Sequence, residues 1–352
     1  MTPATSEGLE VSDDRTVRGP GEPSYHYRAE PLADTLARHR RAYLTKDRLV
    51  PYAVPATLVL LAGTFSVLKP QTFFTLGNAE TILTTQSVLL VVALSLTVVL
   101  AAGDLDLSIG GMIGFTGVLV AWLTTINGIP IAFGLLLSLA AALLVGAINA
   151  VLIVKLSVNS LITTLAMGTL LDGLSTAFSN SETLGNIPSP VSTFANTRFL
   201  GVGIPFWYAI ALLVLLWFVL GHTPGGRYVY FTGEGREAAR LAGIQVDRIR
   251  MAAIVVSALG AWLAGLILLG QTGSAQAGVG DSFLLPAYAA VFLGAATIKL
   301  GRFNPLGSVV AVLVLAVGST GLQLFGLANW VTEVFDAGVL IVAVAFAAMA
   351  IA

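Results

Sequence analysis

Glu234–Arg250, EGREAARLAGIQVDRIR, is the only long charged stretch downstream of residue 50, and apolar runs long enough to cross a bilayer flank it on both sides. Within it Ala238, Ala239, Leu241 and Ala242 are apolar, whereas Arg236, Glu237 and Arg240 are charged. That alternation reads as a short amphipathic helix. A membrane protein that keeps such a helix between two spans presents it to something in the cytoplasm.

Composition makes the membrane assignment. Of 352 residues 56% are hydrophobic and 11% charged, against about 25% charged in a soluble domain. Several apolar runs reach the roughly 18–20 residues that cross a hydrocarbon core. The expected fold is therefore all-α and polytopic. No cysteine is present, which excludes a disulfide framework, thiolate catalysis and a cysteine-based metal site. The first 50 residues are polar and rich in Asp, Glu, Arg and Pro. They lack the basic segment and short apolar core of a cleaved signal peptide.

Residues 1–48 read as a cytoplasmic tail, disordered over 1–30 and with a basic juxtamembrane helix over 31–48. Residues 49–352 form the transmembrane domain, with a cytoplasmic loop at 222–250. Ten spans are expected, at about 51–69, 82–101, 107–126, 131–154, 161–178, 205–221, 251–270, 282–298, 305–325 and 330–350. Pro286 interrupts the eighth, and 103–114 is a candidate re-entrant or broken segment. With the N-terminus inside, 16 basic residues fall on the cytoplasmic side and two, Lys69 and Arg198, outside. The bias of Lys and Arg toward the cytoplasm then places both termini and the 222–250 loop inside. The longest outer loop, 179–204, reads as a polar connector or a surface for a soluble partner.

None of the four lysines follows a glycine, so the chain has no phosphate-binding loop. Mid-span ionisable groups are few, with no Lys, Arg or His among them. Ion-coupled carriers need such groups, so the energy for transport is expected to come from a partner. The segment GDLDLSIGG (Gly103–Gly111) sets Asp104 and Asp106 between two spans. Asp106 and Ser108 suit the start of a helix near Ile109, and Gly110, Gly111, Gly114 and Gly117 give a small face for close packing. The segment reads either as a cap and packing motif or as part of the translocation path or its gate. Candidate path or gate residues are Asp104, Asp106, Ser108, Asn149, Thr163, Thr164 and Asp172. Neutral hydroxyls and amides among them suit a neutral polar solute.

Three blocks resemble one family. Asp106-Leu107-Ser108-Ile109-Gly110 is similar to its Gly-Gly-Ile-Asp-Leu-Ser-Val-Gly block. Glu237-Ala238-Ala239-Arg240-Leu241-Ala242-Gly243-Ile244 resembles its cytoplasmic Glu-Ala-Ala-x-x-Ser-Gly-Ile segment. Leu293-Gly294, followed by Gly301 and Gly307, resembles its glycine-spaced block before the penultimate span. The family is the permease subunits of carbohydrate-type ABC importers, the ribose/xylose/autoinducer-2 group, related to branched-chain amino-acid permeases. Departures are Asp104 where glycine is usual, Ala242 in place of serine, and Leu285, Pro286 and Tyr288 where an acidic pair is common.

The resemblance implies an importer permease for a sugar or sugar-like solute in the bacterial cytoplasmic membrane. It implies that residues 237–244 form the coupling helix. The implied partners are an ABC ATPase, a second permease subunit, an extracytoplasmic solute-binding protein and the lipid bilayer; no nucleic acid is expected. The chain itself is expected to be no enzyme and to hold no metal or cofactor, ATP being used by the partner subunit. A permease for branched-chain amino acids or nucleosides is the nearest alternative, and an ion-coupled secondary carrier a more distant one.

Overall fold

The computed structural model describes residues 52–351; the expectations for the tail, 1–48, lie outside them. The elements in order are α1 (Ala53–Leu68), α2 (Leu76–Thr85), α3 (Ser87–Ala101), α4 (Ser108–Ala121), α5 (Ile131–Ala150), α6 (Ser160–Ser179) and α7 (Ser189–Asn196). A hairpin of β1 (Arg198–Phe199) and β2 (Val202–Gly203) follows. Then come α8 (Ile204–His222), α9 (Pro224–Glu234), α10 (Arg236–Leu241), α11 (Val246–Thr272), α12 (Asp281–Ala295), α13 (Pro305–Leu324) and α14 (Asn329–Ile351). One π turn extends α4 to Ile126 and another extends α5 to Lys155.

Counted with those turns, six helices among the described residues are long and apolar enough to cross a membrane: α4, α5, α6, α8, α11 and α13. The pair α2 and α3, bent by 46° at Gln86, makes a seventh if it is one span. α1 and α12 are shorter apolar helices of 16 and 15 residues. Each of the ten expected segments falls on a helix or on the bent pair.

The centre of the fold is α3, α4 and α11. Every residue of α3 and α4 is buried, as befits helices that are apolar all round. α11 packs on α3, α4, α5 and α7, while α12 packs on α13, α14 and α3. Small residues let backbones meet, as expected where lipid offers no hydrophobic drive for helix pairing. A side chain on Gly111 would strike the backbone of Gly168 in α6, and Gly294 and Gly307 face each other between α12 and α13. The third sequence block is thus a packing hairpin. Asn304 caps α13 by accepting from the Gly307 amide at 2.7 Å, and it donates to the carbonyls of Gly294 and Thr297 at 3.2 Å.

The connections sort into two sets by what they touch. In one set, Asp104 meets Arg236 and Arg250, Lys155 lies 3.8 Å from Asp247, and Arg302 pairs with Glu234 at 2.6 Å. In the other, the Gly203 amide donates to Thr84, Leu184 bridges to Ala275, Asn196 donates to the Gly270 carbonyl, and Lys69 lies over the Phe325 ring. The 179–204 connector is more ordered than its composition indicates. α7 buries Val191 and Ala195, which lie against Gly270. The hairpin turns on Leu200 and Gly201, both at positive φ.

Candidate functional site

Three buried or half-buried groups join the Gly103–Gly111 segment to the charged loop. Arg250, in the first turns of α11, grips Asp104 with two parallel bonds, Nε to Oδ2 and Nη2 to Oδ1, each 2.7 Å. Arg236, on α10, adds a bond to Oδ1 at 3.0 Å and one to the Gly103 carbonyl at 2.7 Å. The Asp104 side chain is 2% exposed and that of Arg250 8%, while Arg236 is 40% exposed. A two-pronged guanidinium–carboxylate pair is among the stronger charged contacts. The carboxylate that departs from the family pattern is therefore neutralised by two arginines. Gly103, at φ +82°, sits 3.2 Å from the backbone of Gly233 in α9 as measured from where its Cβ would stand. A larger residue at either glycine would separate α9 from the end of α3.

One turn deeper lies a hydrogen-bonded network around Asp106. Its Oδ1 accepts from the amide and the hydroxyl of Ser108, which tightens the start of α4 in the manner of an Asx turn. Ser108 Oγ accepts from Asn149 Nδ2 at 3.1 Å, so α5 is tied to the same point. The Asp106 amide donates to Tyr288 Oη at 3.0 Å, and the Leu107 amide to Thr164 Oγ1 at 2.9 Å. Tyr288, one of the residues found where the family commonly has acids, thus supports the Asp106 backbone. Thr163 bonds to the Asn159 carbonyl. All of these side chains are buried. Five of the seven path candidates, Asp106, Ser108, Asn149, Thr163 and Thr164, pack into the junction of α4, α5 and α6. Asp104 joins the arginine clamp, and Asp172 stands apart, half-buried on α6.

The charged loop folds as α9 and α10, and its polarity differs from the simple amphipathic reading. Arg236 points inward to Asp104, and Ala239 is buried at 3% exposure. Leu241 is 90% exposed, and Ala238 and Ala242 are also exposed. Ala239 therefore lies on the inward side with Arg236: six residues make under two turns, and one side of so short a helix must rest on the chain. Arg240 is held by Glu237 and Asp247, each at 3.1 Å, and its bond to Asp247 is the main reason its pKa lies above the ordinary arginine value. Gly243 has φ +80°. Its amide bonds to the Arg240 carbonyl and that of Ile244 to the Ala239 carbonyl, a Schellman ending that needs the left-handed residue. A groove of about 310 Å³ beside α10 is lined by Phe231, Ala238, Ala242 and Ile244 among others. Tyr230 of α9 donates to the Phe303 carbonyl at 2.8 Å, with Arg302 over its ring; burial raises the pKa of its phenol.

Sequence reasoning missed Arg250 and Tyr288. Arg250 was counted only as a cytoplasmic charge, although a basic residue just inside a long apolar run is itself a cue that a carboxylate meets it.

The apolar helices, at least six of them long enough among the described residues to cross a bilayer, define a multi-pass membrane protein. The chain belongs to the family described as branched-chain amino acid transport system / permease component, whose model matches residues 78–344. It is 33% identical to the ribose import permease protein RbsC of Escherichia coli (strain K12) over 316 residues, covering 86% of this chain and 95% of that protein. The RbsC of Haemophilus influenzae is 30% identical over 82% of this chain and 90% of its own. The autoinducer 2 import system permease protein LsrD of Escherichia coli (strain K12) is 34% identical over 72% and 78%.

Proposed function

We propose that this permease imports a sugar or sugar-like solute across the bacterial cytoplasmic membrane as part of an ABC transporter. One observation carries the coupling role: α10 is bonded to the α3–α4 break through Arg236 while its Leu241 projects from the protein. A separate ATPase would seat on that projection and on the groove beside it. Its ATP-dependent closure would push α10, and the Asp104 clamp would carry the push to the buried start of α4. The partners are the ATPase, a second permease subunit and an extracytoplasmic binding protein; the chain uses no cofactor of its own. The relatives named for ribose support the solute class.

A ten-span chain with both termini inside agrees with the two sets of connections. Segments 102–107, 155–159 and 296–304 each contact the 222–250 loop, and 69–86, 180–203 and 270–276 are linked likewise. Each contact of those two sets joins connections or span ends that ten alternating spans put on one side. A single cysteine at Asn186 is expected to react with an impermeant thiol reagent from outside intact cells, and one at Gly235 only after the cytoplasmic face is opened. The reverse pattern would sink the orientation.

Function is tested by reconstituting the permease with a candidate ABC ATPase and solute-binding protein from the same organism. ATP-dependent accumulation of labelled ribose is expected. Accumulation of labelled leucine instead would favour the solute for which the family is described, and uptake driven by an ion gradient without ATP would overturn the importer reading.

A further inference from the structure

The expected path residues mostly form a closed packing junction, and a different face of the protein is polar where a membrane helix should not be. Between Gly273 and Gly280 the chain leaves α11 and runs back along α4 instead of turning at the surface. A Cβ on Gly117 would lie 3.7 Å from Ala275, one on Gly114 3.5 Å from the Gly278 amide, and one on Gly110 3.3 Å from the Asp281 Cα. The glycine face of α4 is what admits this backbone. α12 consequently starts at the level of Gly110, and this explains why it is short.

The depth of that point can be read along α11. Arg250 marks one end, at the Asp104 clamp, and Gln271 the other, where it donates to the Thr84 carbonyl and Ser87. These lie twenty-one residues apart, about 32 Å of helix and so about the thickness of a hydrocarbon core. Gly265 faces Ile113, and Gly110 is one turn nearer the clamp. Asp281 therefore sits about midway through the bilayer, and it is exposed.

Asp172 lies beside it. Gly110 meets Asp281 and its neighbour Gly111 meets Gly168, one turn along α6 from Asp172, so the two carboxylates flank the same stretch of α4. One Asp172 carboxylate oxygen is buried without a partner. Thr169 and Thr176 flank Asp172 on the exposed face of α6 at helical spacing, and Gln276 and Ser282 are exposed beside Asp281. Both threonine hydroxyls donate to their own helix, leaving their lone pairs outward. Acidic groups at mid-membrane do not face lipid; they face water or a bundle interior.

We infer that Thr169, Asp172, Thr176, Gln276, Asp281 and Ser282 line the aqueous translocation path, with Asp172 and Asp281 accepting hydroxyl hydrogen bonds from a neutral, polyhydroxylated solute. The inference rests on the importer reading and gives it a solute contact. Two carboxylates also turn anionic solutes away.

The chain has no cysteine, so single thiols report without background. In the assembled transporter, in vesicles of both orientations, Ser282→Cys and Asp281→Cys are expected to react from at least one side with small charged methanethiosulfonates. Leu144→Cys, 61% exposed on α5 at similar depth, is expected to stay unlabelled. At Ser282→Cys a cationic reagent should outpace an anionic one by about tenfold after correction for their rates with a free thiol. That preference should fall toward unity when Asp172→Asn and Asp281→Asn are added. The conservative Ser282→Cys change keeps the test open if the aspartate variants fail to assemble. Absence of labelling at Ser282→Cys from both sides, labelling equal to that of Leu144→Cys, or no charge preference overturns the assignment. ATP-driven ribose uptake with these positions unreactive would remove the path and leave the importer; labelling as expected with no ATP-driven uptake of any solute would do the reverse.

Discussion

Arg250→Ala is expected to be the most damaging single change in the cytoplasmic half of the protein. The two bonds that Arg250 makes to Asp104 are both 2.7 Å, and both side chains are almost wholly buried. Removing one partner of a buried ion pair leaves an uncompensated charge and costs about 3–5 kcal/mol. Arg236 still reaches Asp104 at 3.0 Å, so the lower end of that range is expected. Arg236→Ala should cost about 1 kcal/mol or less, because its side chain is 40% exposed and half-solvated pairs contribute little. Asp104→Gly combined with Arg250→Met should recover most of the loss, since replacing both members of a buried pair by uncharged residues is often close to neutral. Thermal unfolding of the purified permease in detergent checks all three. Arg236→Ala as damaging as Arg250→Ala, or no recovery in the double variant, would show that the clamp is not what holds the α3–α4 break to α11.

Much of the fold was legible because apolar run length is a strong signal, and each expected segment falls on a helix. The charged loop was legible for the converse reason: Glu234–Arg250 is polar where its neighbours are not. What could not be read was direction. Whether Arg236 or Leu241 of a six-residue helix faces the protein depends on Asp104, more than a hundred residues away in sequence. The Asp104 partners were illegible on the same ground, since pairing over that separation leaves no local pattern. Residues 273–280 read as an ordinary outer loop because Gly, Ser and Ala suit a surface turn as well as a backbone threading along a glycine face; only Gly110, Gly114 and Gly117 opposite them decide between the two. The helix α7 had a cue in Ser189-Pro190, a proline at a helix start, and the hairpin had one in Gly201 within a two-residue turn.

Leu241→Asp is the second change with a large expected effect, and it acts on coupling and leaves folding intact. Leu241 is 90% exposed, so a polar residue there removes almost no packing from the chain itself. As the anchor of a docking surface it would be worth about 2 kcal/mol or more, roughly a thirtyfold loss of affinity for the partner. Gly243→Val should have a related effect by another route. Nothing lies within 4 Å of where its Cβ would stand, yet φ is +80°, a conformation that β-branched residues resist. The turn after α10 would have to change. Ala239→Trp is a poorer probe, because Ala239 is buried against its own chain and enlarging it would disturb the permease before any partner.

The central claim, that an external ATPase drives this permease through α10, is tested most directly by purifying wild-type and Leu241→Asp permease with a candidate ABC ATPase from the same organism. Co-elution and solute-stimulated ATP hydrolysis are then measured at matched thermal stability. The expected result is an unchanged unfolding temperature with loss of co-elution and of stimulated hydrolysis. Full complex formation and full stimulation in Leu241→Asp would contradict it.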